Sequence, residues 1–172
     1  MKKPFVIVIA GPTGVGKTTL SKILSNHYNC LHLSEDEVAK QAFPSTYKDV
    51  EDFPEKLKVI ESKLLDQTKT NFNNGADVVV DCINLEKEFI EKMRKIFHEH
   101  LVVKVLFPQI ETIIERDRKR EIWISGEDTI RLFYKKYEEL KPFVGEENYI
   151  DNSHQIPEET SEKIIATVEG KD

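Results

Sequence analysis

A chain of 172 residues with 39% hydrophobic content is the size of one ordinary domain and carries ample material for a core, which excludes a disordered chain. Its formal charge of −6 argues against a protein that coats nucleic acid or anionic membrane by bulk attraction, although a local basic groove stays open. Cys30 and Cys82 lie far apart with no CxxC pairing, so they read as buried thiols of a reducing compartment.

At the N-terminus, Met1-Lys2-Lys3 before FVIVIA imitates a signal peptide. The apolar run is too short, however, and leads into glycines and a lysine instead of a small-residue cleavage site. No run reaches the length that spans a bilayer. The expectation is a soluble, cytoplasmic protein with no membrane partner.

Apolar runs alternate with helical rhythms along the whole chain, the pattern of a parallel sheet with crossover helices. Strands are expected at Phe5–Ala10, Cys30–Leu33, Asp77–Cys82, Leu101–Phe107 and Asn148–Ile150. The first, third and fourth are apolar enough to be buried on both faces. After the first strand, Leu20, Ile23 and Leu24 carry a helical stripe. Between Pro54 and Asn74, Leu57, Ile60, Leu64, Thr68 and Phe72 recur at three- and four-residue intervals, and Gly75 stands where a C-cap belongs. Further helices are expected over Glu86–His98, Gln109–Arg120, Asp128–Leu140 and Pro157–Val168. With no repeat, low-complexity tract or linker, residues 1–172 read as one domain.

Between the first strand and its helix stands Gly11-Pro12-Thr13-Gly14-Val15-Gly16-Lys17-Thr18, which fits GxxxxGK[ST] at every fixed position. Glycines without Cβ atoms let backbone N–H groups close around phosphate oxygens, and the positive end of the helix dipole faces the same spot. The candidate nucleotide-binding residues are these eight and Thr19. Lys17 reaches the β- and γ-phosphates, and the Thr18 hydroxyl is a candidate Mg²⁺ ligand.

A phosphate loop implies nucleotide binding but not the reaction. The base-reading NKxD and the DxxG of GTPase switches are absent, and motor ATPases generally need a longer chain. A small kinase needs an acceptor site after its second strand and a lid with arginines, and both have candidates. Ser34-Glu35-Asp36-Glu37 follows Leu31-His32-Leu33, at the carboxyl end of a strand where open α/β sheets place their sites. Ser34 and Glu37 have capping-box spacing, which leaves Asp36 as the candidate to take the acceptor hydroxyl's proton. Asp81, ending Val78-Val79-Val80, is a candidate for the metal or the acceptor. In Glu115-Arg116-Asp117-Arg118-Lys119-Arg120, Arg116 and Arg120 are one helical turn apart and are the candidate lid arginines, since a planar guanidinium suits a transferring phosphoryl group. Trp123 beside them either stacks on a base or packs the lid.

The first arginine of the chain is Arg94. An acceptor phosphate or carboxylate held in a fork favours arginine, so its absence from the first half points to a neutral alcohol. Lys40, Lys48, Lys56 and Lys58 are the remaining cations that could hold an anion there. The five histidines show no zinc spacing. Phe133, Tyr134 and Tyr137 have helical spacing and read as core.

In the order of these motifs, with VVVDCINL and IERDRKR, residues Phe5 to Leu140 resemble the small P-loop kinases around polynucleotide kinase. That group also includes chloramphenicol phosphotransferase, zeta toxins and gluconate kinases. The resemblance implies a three-layer α/β P-loop NTPase fold: a five-stranded parallel sheet in the order 2-3-1-4-5, helices on both faces, and a small lid near residues 118–128. It implies ATP and Mg²⁺ as cofactors, with Lys17 and Thr18 on phosphate and metal, Asp36 as the catalytic acid–base, and Arg116 and Arg120 in the lid. Asn152 and Ser153 would border adenine. Two departures stand out. Polynucleotide kinases carry Asp-x-x-Arg where Asp36 is followed by Glu37, Val38 and Ala39, and their Asp-Thr-Asn-Leu is here one residue longer, Asp81-Cys82-Ile83-Asn84-Leu85. The expectation is therefore a phosphotransferase acting on a hydroxyl of a small-molecule acceptor. The alternatives are a 5′-hydroxyl polynucleotide kinase and, from another class, a nucleotide-binding regulator with slow ATPase activity. Nothing in the residues sets the oligomeric state.

Overall fold

The computed structural model describes residues 4–45, 54–120 and 124–170. Lys48 and Trp123 lie outside them, as do residues 121–123 of the expected lid.

The first strand, β1 (Val6–Ala10), is fully buried, and its side chains alternate between two apolar layers. Val6, Val8 and Ala10 face one cluster, Ile7 and Ile9 the other. A strand that touches no water must be central and covered on both faces, as parallel sheets are. It pairs in parallel with β3 (Val78–Cys82) on one side and β4 (Leu101–Leu106) on the other. The strands β2 (Leu31–Ser34) and β5 (Tyr149–Ile150) close the edges, giving the order β2-β3-β1-β4-β5. This is the expected order.

Seven α-helices among the described residues cover the two faces. One layer is built on α2 (Glu35–Ala42), α3 (Pro54–Asn73), α4 (Lys87–Phe97) and most of α6 (Glu127–Val144), through Val38, Ile60, Leu64, Phe89, Met93, Phe97 and Tyr137. The other holds α1 (Lys17–Tyr28), α5 (Ile110–Arg118) and α7 (Pro157–Glu169), through Leu20, Leu24, Ile113, Ile114 and Ile164. Phe133 and Tyr137 are core, as their spacing suggested, and Tyr134 stacks on Phe107 with ring centroids 4.2 Å apart. Gly75 closes α3, its N–H donating to Phe72 O. No helix among the described residues is long and apolar enough to cross a membrane.

Two local expectations fail. Ser34 stands at the N-cap of α2, but its side chain makes no capping bond. It is still a strand residue, in register with Asp81, and α2 starts directly at Glu35 without the loop residue that a capping box uses. The fifth helix stops at Arg118, so Arg120 lies beyond it and does not share a helical face with Arg116. Asp117 causes the exit. Its carboxylate accepts the backbone N–H groups of Ser125 and Gly126, which draws the returning chain onto the helix end.

Candidate active site

The loop after β1 turns where only glycine fits. A Cβ on Gly11, at φ +145°, would lie 2.4 Å from the Leu106 carbonyl oxygen, and Gly16, at φ +98°, forms the N-cap of α1. The helix therefore starts at Lys17 with its first N–H groups aimed back into the loop. Lys17 is 9% exposed and folds over the loop, its Nζ donating to Pro12 O at 2.9 Å. Burial pushes its pKa down, against the opposing pull of Asp81, then Asp36 and Glu35. A buried ammonium facing one carbonyl is short of anionic partners, and phosphate oxygens would supply them.

One residue on, Thr18 Oγ1 donates to Asp81 Oδ2 at 2.6 Å. Asp81 is buried at the end of β3, next to the phosphate-loop strand, and His32 Nε2 on β2 lies 3.8 Å from the same oxygen. A hydroxyl and a carboxylate converging beside a phosphate site are the oxygen donors that Mg²⁺ takes, so the residues fit that ion. No cluster of three His, Cys, Asp or Glu side chains occurs among the described residues, so an all-protein cage is not on offer there.

Asp36 is exposed in the first turn of α2. Its carboxylate is among the charges that act on the Lys17 ammonium, after Asp81. Its neighbour Glu35, which sequence reasoning passed over, is only 7% exposed. Glu35 Oε2 accepts the N–H groups of Ile83 at 2.6 Å and Asn84 at 3.0 Å, and Oε1 accepts Asn84 Nδ2 at 2.8 Å. From the other side, Tyr137 Oη donates to Ile83 O at 2.8 Å. Cys82 is buried against Glu35; desolvation first, and that carboxylate second, hold its thiol well above the usual range, which makes it inert.

Arg116 reaches the last β-strand's loop, its Nη2 donating to Asn152 O at 2.9 Å and Ser153 O at 3.3 Å. Asn152 is buried, and its Nδ2 donates to Val15 O at 3.1 Å, which ties that loop to the phosphate loop. Arg116, Asn152, Gly14, Val15, Gly16 and Thr19 line one cleft of about 210 Å³. Arg120 is elsewhere, 3.8 Å from Asp117 Oδ1. Asp117 is 2% exposed and was also missed, because an acid set between arginines reads as a balanced surface helix. Ahead of α6, Ser125 Oγ lies 3.0 Å from Thr13 Oγ1 of the phosphate loop.

A second, tighter cleft of about 30 Å³ opens beside β3 and α3. Glu35, Glu61, Asn84 and Glu86 line it with Leu64 and Phe89, and among the described residues no arginine or lysine does. Arg94 serves the fold instead, donating to the carbonyls of Phe143 and Val144 at the end of α6.

Comparison with known proteins agrees with this geometry. The chain is 28% identical over 188 residues to a guanylate kinase of Caldanaerobacter subterraneus subsp. tengcongensis, covering 97% of this chain and 87% of the relative. Among solved structures it is similar to a gluconokinase from Sinorhizobium meliloti 1021, with TM-score 0.71 and 18% identity over 98% of this chain and 94% of that one. A sugar kinase from Janibacter sp. HTCC2649 superposes with TM-score 0.74 and 18% identity, covering 96% of this chain and 95% of that one. The fold is thus that of the small P-loop kinases. A family model described as an AAA domain matches residues 6–123, from β1 to just beyond α5, and the chain belongs to that family.

Proposed function

We propose that this protein is a phosphotransferase that moves the γ-phosphoryl group of ATP to a hydroxyl of a small acceptor without an anionic handle. One observation carries the reading. The Thr18–Asp81 pair and the buried Lys17 meet at one end of the sheet, and an arginine-free cleft is lined by Glu35, Cys82 and Asn84, the residues that follow the ends of β2 and β3 or close β3.

The loop N–H groups and Lys17 hold the β- and γ-phosphates, and Arg116 stands over the nucleotide side. Thr18 and Asp81 would hold Mg²⁺, which supplies charge neutralisation at the phosphate oxygens. The acceptor oxygen forms the new bond to γ-phosphorus while the bond to the β–γ bridging oxygen breaks and ADP leaves. Asp36 takes the acceptor's proton or orients its hydroxyl. Positioning and charge do most of this catalysis, so the lid, latched through Ser125 and Thr13, excludes water from the transfer.

The guanylate kinase likeness suggests a nucleoside monophosphate as acceptor. The absence of any arginine before Arg94 weighs against it, because a phosphate acceptor is gripped by guanidinium forks. The test is incubation with Mg²⁺ and γ-labelled ATP against sugars, polyols, nucleosides, nucleoside monophosphates, antibiotics and 5′-hydroxyl oligonucleotides. A labelled neutral alcohol is the expected result. A labelled monophosphate or oligonucleotide would correct the acceptor class. Tight ATP binding with no labelled acceptor would leave a nucleotide-binding regulator with slow ATPase activity.

A further inference from the structure

We propose that Glu35 is a positioning residue of the acceptor site, which locks the 83–84 loop and presents Asn84 Oδ1 to a hydroxyl of the acceptor. The reading rests on the kinase function only for its kinetic consequence; the lock itself is a property of the free protein.

Three donors from one loop converge on this one carboxylate, across 48 residues of sequence. A neutral side chain cannot replace it. Glutamine has one amide oxygen, so it satisfies either the two backbone N–H groups or the Asn84 amide, and points its own NH₂ at the other. The second of these bonds has a consequence for Asn84. With Nδ2 held by Glu35 Oε1, the amide cannot turn over, and its oxygen is the group that remains for a ligand. Asn84 and Glu35 both line the tighter cleft, beside Asp81 and Asp36 in sequence and at the carboxyl ends of β2 and β3. The loop carrier is held from behind as well, because Tyr137 donates to Ile83 O. Both sides of one peptide are therefore pinned, which is far more restraint than a surface turn needs. It is what a group aimed at a substrate requires. The extra residue in Asp81-Cys82-Ile83-Asn84 lies within the stretch that Glu35 straps down.

Two measurements decide it. In amide NMR spectra of the free protein, the Asn84 side-chain NH₂ is hydrogen-bonded, and Glu35→Gln should shift its resonances and speed exchange of the Ile83 and Asn84 backbone amides at least tenfold. Unchanged resonances overturn the proposal whether or not any acceptor is phosphorylated. With an acceptor found in the panel above, Glu35→Gln should raise acceptor KM at least tenfold with less than a threefold change in kcat, and leave the ATP dissociation constant within twofold. In the Asn84→Ala background the same substitution should then cost less than twofold, since Glu35 acts through Asn84. Equal losses in both backgrounds, or equal losses for ATP and acceptor, would reduce Glu35 to a structural strut. Failure of the wild type to phosphorylate any acceptor would instead count against the kinase reading.

Discussion

Thr18 and Asp81 sit 63 residues apart in sequence, yet their side chains form a 2.6 Å hydrogen bond that joins the phosphate loop's helix to the neighbouring strand. The register Ile9↔Asp81 brings the end of β3 level with the end of β1, where the loop begins. Replacing Asp81 with Asn keeps the shape and the partner while removing the charge. We expect the Mg²⁺ requirement to rise about 10- to 100-fold, read as the metal dependence of ATP binding and of transfer.

Lys17→Met tests the phosphate loop. Loss of this buried ammonium should lower transfer by roughly 10²- to 10³-fold, the scale of removing one preorganised charge partner. The same variant has a pH signature. Burial lowers the folded pKa of Lys17 below 10.5, so in that window the unfolded chain binds the extra proton, and stability rises with pH from this residue. Subtracting Lys17→Met from wild type in denaturant titrations should reveal that upward slope, and saturating ATP should abolish it.

Asp36→Asn should lower transfer by about 10²- to 10⁴-fold while the ATP dissociation constant stays near wild type. The measurement is single-turnover transfer against equilibrium nucleotide binding. Normal transfer in this variant would remove Asp36 from the chemistry.

Asp117→Ala should destabilise the protein by about 1–3 kcal/mol, because the partly buried N–H groups of Ser125 and Gly126 lose the buried carboxylate that accepts them. Chemical denaturation measures it. Limited proteolysis should meanwhile cut first between residues 118 and 127.

Arg116→Ala and Arg120→Ala should separate. Arg116 lines the cleft beside the phosphate loop and holds the 152–153 backbone, so under the proposed function its loss should weaken ATP binding. Arg120 is paired with Asp117, so its loss should leave nucleotide affinity nearly unchanged in calorimetry.

What was legible in the sequence is what local pattern encodes. The β1 run, the glycines and the helical stripe of α1 are neighbours in the chain, and burial follows directly from their composition. The sheet order came from the resemblance, not from periodicity. Glu35 and Asp117 were invisible for a common reason. Each is a buried carboxylate whose partners are backbone N–H groups, and no residue type announces a backbone donor. Glu35 also sat in an acidic run that reads as a helix start. The expected kinship of Arg116 with Arg120 failed because helix periodicity was extended past the point where Asp117 draws the chain away.

The sixth helix starts at Glu127, immediately after the Gly126 amide anchored by Asp117, and ten residues later its Tyr137 hydroxyl grips the Ile83 carbonyl. At about 1.5 Å per residue, roughly 15 Å of helix thus separates the amide anchored by Asp117 from the hydroxyl that holds Ile83. Under the proposed function, a change at the Gly126 end would be carried along this helix to the same peptide that Glu35 holds from the other side.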